Sequence, residues 1–162
     1  MTLMCATNIA VSAGADRLVD PVSLSLRQGQ AVTVLGESGS GKSLLAQAIL
    51  GTLPRGLSAS GRLEVGEDAF DPARPQDNRR LWGRRIAVLP QEPWLALDPL
   101  MRGTAQVAEA HDLVAGHPSP GAQAEADLST LGLEAARDLF PWQLSGGMAQ
   151  RLAFAAARAG GA

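Results

Sequence analysis

"VLGESGSGKSLL", residues 34–45, closes an apolar run with three glycines and three serines set around a single lysine. It fits G-x-x-x-x-G-K-[ST], with Gly36, Gly41, Lys42 and Ser43 in the fixed places and Glu37, Ser38, Gly39 and Ser40 between them. The flanks suit a strand–loop–helix unit. "AVTVL", residues 31–35, is short and apolar, as an interior strand is. "KSLLAQAILGTL" places Leu44, Leu45, Ala48 and Ile49 on one helical face, with Gly51 and Pro54 to end it. In such a unit successive backbone N–H groups turn inward as an anion cradle, and glycines let the backbone approach phosphate with no Cβ in the way. The helix N-terminus directs its partial positive charge at the same oxyanions. Lys42 reaches the β- and γ-phosphates, and Ser43 offers a hydroxyl to a bridging Mg²⁺. A plain Gly/Ser turn would need neither the lysine nor both fixed glycines. The stretch predicts a phosphate-binding loop, a device shared by kinases, GTPases and transport ATPases.

Working outward, 162 residues with 46% hydrophobic side chains make a globular chain with room for a core. Its 14 basic and 16 acidic side chains give a net charge of −2, which argues against a nucleic-acid partner. Cys5 is the sole cysteine, so no internal disulfide or cysteine zinc site is expected and a reducing, cytoplasmic setting fits. No apolar run has the length of a membrane span, and "MTLMCATNIA" lacks a signal-peptide pattern. Upstream of the loop, Val22, Leu24 and Leu26 alternate with serines as a half-buried strand, with a turn at Gly29. "GRLEVG" (61–66) and "RRIAVLP" (84–90) read as further strands, and beyond Pro99 the pattern is helical with breakers such as "GHPSPG". The expected division is an α/β core over 1–91 and a helical subdomain over 92–162.

A second anion-facing helix start is predicted at "LSGGMAQR", residues 144–151, where Ser145 is a good N-cap and two glycines leave backbone N–H groups open. With the glycine loop, and with "VLPQEPWLALDP" (88–99) between them, this octapeptide resembles the signature motif of ATP-binding cassette (ABC) ATPases. The likeness is greatest to the branch serving bacterial peptide and nickel importers, on "GESGSGKS", "GTLP…SGRLEVG", "QEPWLALDP" and "LSGGMAQR". The resemblance implies an ABC-type P-loop NTPase fold in which residues 36–44 hold the phosphates of ATP. It implies that Ser43 and Gln91 coordinate Mg²⁺, with Gln91, at the end of a strand, also sensing the γ-phosphate. Two cassettes, identical or different, would close head to tail, so that Ser145, Gly146, Gly147 and Gln150 touch ATP held by the partner. The segment after Gln91 and the helical subdomain would meet membrane-spanning permease subunits, placing the protein peripherally on the cytoplasmic side of the bacterial inner membrane.

Two departures qualify the resemblance. Residues 1–35 contain no Phe or Trp and the chain has no Tyr, so the family's adenine-stacking aromatic is lacking where Ser12–Asp16 stand. The chain also stops at "FAAARAGGA", before the strand with the Mg²⁺-binding Asp and water-polarising Glu, and before the switch histidine. The core sheet is therefore expected to be incomplete and no catalytic base retained. His111 and His117 are expected at the surface, and Trp94 and Trp142 in packing, with partner contact at the permease side as the alternative. Arg79, Arg80, Arg84 and Arg85, which bracket Trp82, are expected on a solvated face rather than a nucleic-acid patch. Besides an importer subunit, a non-transport ABC ATPase of DNA repair or translation and a catalytically inactive nucleotide-binding fragment remain open.

Overall fold

The structure, a computed structural model, describes residues 1–161, and the side chains of all of these except Asp77 and Arg79. By packing the chain divides into two compact units, Met1–Arg80 and a second beginning at Leu81.

The first unit holds β1 (Thr2–Ala13), β2 (Asp16–Arg27), α1 (Lys42–Leu50), β3 (Leu57–Val65), β4 (Asp68–Phe70) and a short α2 (Pro75–Asn78). The strands form an antiparallel sheet in the order β2-β1-β3-β4. Val22, Leu24 and Leu26 are half-buried while Ser23 and Ser25 are exposed, as the alternation predicts. In β1 the buried phase switches from Met4 and Ala6 to Ile9 and Val11. The register shift between Ala6 and Ile9 causes it, with Asn8 in the left-handed region at φ 52 and its N–H donating to Ser23 Oγ at 2.9 Å. An inserted residue reverses which side chains face the core, so this bulge lets a 12-residue strand keep both ends apolar-in. Gly61 has to be glycine here: at φ 116, a Cβ would lie 2.6 Å from the Asn8 carbonyl oxygen. The helix α1 packs against β1 and β3 through Leu45, Ala48 and Ile49. It ends at Gly51, in the left-handed region at φ 71.

Two expected strands do not form. Residues 31–36 and 87–90 are irregular, with Val32, Val34, Val88 and Leu89 nearly half exposed and Leu35 86% exposed. Ile86 makes only an isolated bridge to Trp82. Strand propensity is expressed through pairing, and an interior parallel strand needs neighbours on both edges. Among the described residues, the only sheet runs antiparallel and does not include 31–35.

The second unit is helical, as expected: α3 (Gly103–Ala110) running into a π-helical turn (His111–Ala115), α4 (Pro120–Thr130) and α5 (Gly146–Arg158), joined by 3-10 turns. Ala149, Leu152 and Ala153 recur at helical spacing and seat α5 on a core with Val107, Leu128 and Leu133, all buried. Truncating a leucine in such a core costs about 2–5 kcal/mol. His111 departs from the surface reading. It opens the π-helical turn one turn beyond Val107, continuing the buried face of α3, is 6% exposed, and places Nε2 at 2.8 Å from Asp127 Oδ2. His117 is half-buried, edge-on to it at 5.9 Å.

Candidate functional site

Residues 36–41 form a tight loop directly before α1. A turn closes with Ser40 N–H on the Glu37 carbonyl at 3.2 Å, and Gly39 and Gly41 occupy the left-handed region at φ 84 and 86. Gly41 is doubly constrained, since a Cβ there would come within 2.6 Å of Val19 Cγ2 on β2. Gly36 lies against the same turn: its Cβ would stand 2.6 Å from Ser40 Oγ. The Lys42 ammonium folds back over the loop, donating to the carbonyls of Gly36 at 2.9 Å and Glu37 at 2.6 Å. It also lies 3.4 Å from Ser40 Oγ.

Gly41 caps α1 without a side-chain hydrogen bond, and the first intrahelical bond runs from Leu45 N–H to the Gly41 carbonyl at 2.9 Å. The N–H groups of Lys42, Ser43 and Leu44 are thus the helix's orphan donors. They lie where Ser38, Gly39, Gly41, Lys42, Ser43 and Leu44 line an open cavity of about 270 Å³. The donors, the glycine backbone, a cation on a flexible stem and an exposed Ser43 hydroxyl together fit a polyphosphate with its divalent cation. Leu44 contributes its backbone, while its side chain is half-buried on the helical face.

The other candidates belong to the second unit. Gln91 is exposed in the irregular stretch before the Pro93–Leu95 turn, not at a strand end. Ser145 caps α5, its Oγ accepting from Met148 N–H at 3.3 Å. Ser145, Gly146, Gly147 and Gln150 are all exposed, and a Cβ on either glycine would meet nothing within 4 Å. The chain's own packing therefore does not explain these glycines. Close approach by something outside the chain would.

Sequence reasoning missed the supports. Arg151 ties the first turn of α5 to the α4 end, donating from Nη1 to the Leu131 carbonyl at 2.8 Å and from Nε to Gly147 at 3.3 Å. Glu134, beside that turn, has its carboxyl held below the ordinary range by a backbone N–H bond first, then by the Ser129 hydroxyl at 2.9 Å and the nearby Arg137 charge. The tryptophans are not buried packing: Trp94 is 43% and Trp142 71% exposed. Trp142 lies parallel to Phe140, their centroids 5.9 Å apart, and the Arg102 guanidinium covers Phe140 at 5.2 Å. Arg84 and Arg85 are exposed, as a solvated face requires. Arg80 lies 4.9 Å over the Phe70 ring, while the side chain of Arg79 lies outside the described residues.

Residues 19–162 match the family described as ABC transporter. The dipeptide transport ATP-binding protein DppD of Escherichia coli (strain K12) is 36% identical over 147 residues, covering 87% of this chain and 45% of DppD. DppD of Shigella flexneri matches to the same extent. Among solved structures, cbiO1 of Clostridium perfringens, part of the ABC transporter complex cbiONQ, superimposes with a TM-score of 0.75 at 20% identity. That match covers 99% of this chain and 62% of cbiO1. The chain thus spans less than half the length of these curated relatives. The likeness shows that this chain shares the fold of cbiO1.

Proposed function

This chain belongs to the ABC transporter family, and from that premise we propose that it is a nucleotide-binding part of an ATP-driven importer. The cargo is a small solute such as a peptide or nickel. Residues 36–44 take the phosphates, while Ser43 and Gln91 serve the accompanying Mg²⁺. Ser145, Gly146, Gly147 and Gln150 face ATP held by a second cassette, identical or different, arranged head to tail. ATP and Mg²⁺ bound between two cassettes supply the energy-coupling step. This chain's own residues bind the phosphates, neutralise their charge and present the signature helix. Permease subunits meet the segment after Gln91, with the core over 1–91 and the coupling region over 92–162. The protein works peripherally at the cytoplasmic face of the membrane. No helix among the described residues is long and apolar enough to cross one, so coupling to transport runs through a partner.

The observation that carries this reading is the phosphate loop, with Lys42 laid across the Gly36 and Glu37 carbonyls beside three orphan N–H donors. A charge-assisted hydrogen bond contributes about 1.5–3 kcal/mol. Lys42→Ala should therefore weaken Mg²⁺–ATP binding by roughly 10- to 150-fold by calorimetry. Equal affinity in the two proteins would overturn the assignment. The relatives' dipeptide-transport names favour import over repair or translation.

A further inference from the structure

The unit that holds the phosphate loop has no ring on which a base can stack. Residues 1–80 contain one aromatic side chain, Phe70. It is 4% exposed and covered by Arg80. A nucleotide anchored at 36–44 therefore meets no exposed aromatic face from its own unit. The second unit carries one in a telling place. Trp142, 71% exposed, is three residues before the cap Ser145. Its ring is backed by Phe140 at an interplanar angle of 5°, and Phe140 is in turn backed by the Arg102 guanidinium. Arg102 is steadied by Asp138, donating to its carbonyl at 3.0 Å and lying 3.8 Å from its carboxylate. A large ring at this exposure carries a hydration cost with no compensating burial within the chain. The stack on Phe140 orients the ring, and its 71% exposure leaves ring surface available, which is the form of a stacking platform.

We infer that Trp142 supplies the base-stacking face for a nucleotide whose phosphates are held by a second copy of this chain, so that one copy's ring completes the other copy's site. This rests on the head-to-tail reading of the signature segment given above. There the triphosphate lies at Ser145, and three residues span at most about 10 Å, which keeps Trp142 within reach of the same nucleotide. Every nucleobase has a π-face, so the contact adds affinity for nucleotide over bare polyphosphate with little choice between ATP and GTP.

The test compares ATP with inorganic tripolyphosphate, both with Mg²⁺, by calorimetry on the full chain. Trp142→Ala should lose roughly 5- to 150-fold in ATP affinity, the range that base–aromatic stacking spans, and nothing in tripolyphosphate affinity. Trp142→Phe should recover most of the loss. Tripolyphosphate binding doubles as the check that the variant is folded. Mixing Trp142→Ala chains with Lys42→Ala chains should restore tight ATP binding, because each mixed pair contains one intact loop facing one intact ring. An unchanged ATP affinity in Trp142→Ala, an equal loss for both ligands, a Phe variant as weak as Ala, or no recovery on mixing each overturns the inference. Failure of the underlying reading looks different: there Lys42→Ala would bind tripolyphosphate as well as the parent does.

Discussion

The two helix starts, at α1 and α5, solve the same problem in opposite ways. α1 begins at a glycine in the left-handed region, with no side-chain cap, and leaves its first N–H groups to the adjoining cavity beside Lys42. α5 begins at Ser145, which satisfies the Met148 N–H from within the chain, and brings no cation in its first turn. An uncapped start with a lysine can hold a polyanion by itself. A start already capped, with only open glycine backbone, can add donors to an anion fixed elsewhere but cannot fix one alone. Under the head-to-tail arrangement proposed above, the difference assigns each helix its own half of a shared site, and it gives Gly41 and Gly146 different reasons to be glycine.

The largest effect tests what both starts lack. Neither helix has an acidic residue in its first turn, and the only carboxylate within 36–43 is Glu37, whose backbone carbonyl takes the lysine. Orienting and deprotonating an attacking water needs a positioned base. The 162-residue chain is therefore expected to bind Mg²⁺–ATP without turning it over. Phosphate release would be measured with Lys42→Ala as the background. Lys42-dependent turnover at about 1 s⁻¹ or more would show that a base within these residues completes the loop.

Next come the two glycines. Gly41→Ala forces a Cβ into the left-handed region and against Val19, so it should destabilise the fold by about 1–3 kcal/mol in thermal or urea melts and weaken nucleotide binding. Gly146→Ala meets open space at ordinary dihedrals. It should leave stability unchanged or raise it by up to about 1 kcal/mol. Its cost should appear only in nucleotide-dependent pairing of chains, followed by sedimentation. Equal destabilisation by both substitutions would erase the contrast.

A smaller effect isolates the cap. Ser145→Ala removes the bond to Met148 N–H, which at 3.3 Å is long, so a loss of about 0.5–1 kcal/mol, the lower part of the N-cap range, is expected in melting experiments. At α1 the corresponding residue is already Gly41. Gly41→Ser should gain no cap energy, because the φ of 86 and the Val19 contact outweigh it. A stabilised Gly41→Ser would refute the idea that α1 is left uncapped for a ligand.

These contrasts also explain what could be read in the residues beforehand. The loop, α1, β2, β3 and the Ser145-capped helix were legible because each is specified locally, by Gly and Ser at fixed spacing or by a period of two or 3.6. Residues 31–35 and 84–90 misled because a strand is a property of its neighbours, and an apolar run only says that pairing would be favourable. β1 was overlooked for the opposite reason. Its bulge at Asn8 breaks the alternation that would have announced it. His111 looked like a surface residue because its partner, Asp127, is on another helix. Its spacing of four from Val107 was the available clue. Nothing local marks Trp142 as exposed, since only the folded chain shows its ring stacked on Phe140 and still 71% exposed.

The smallest effect probes the turn that anchors α5. Arg151 fastens α5 to the Leu131 carbonyl, and the neighbouring Glu134 accepts the Ser129 hydroxyl. The backbone bond, the hydroxyl bond and Arg137 favour the ionised carboxylate and hold its pKa below the usual 4.5. A group whose folded pKa is depressed stabilises the native state above its unfolded pKa. That contribution is lost as pH falls through the lower folded value. The turn should thus loosen only on the acid side of the ordinary carboxylate range and be insensitive to pH around neutrality. Because Glu134 is exposed, screening keeps the effect slight, and it is best read at the residue by NMR titration. In Ser129→Ala the Glu134 midpoint should rise yet remain depressed, because the backbone bond is the larger cause. A midpoint that does not move would mean that the hydroxyl contact plays no part in holding the turn.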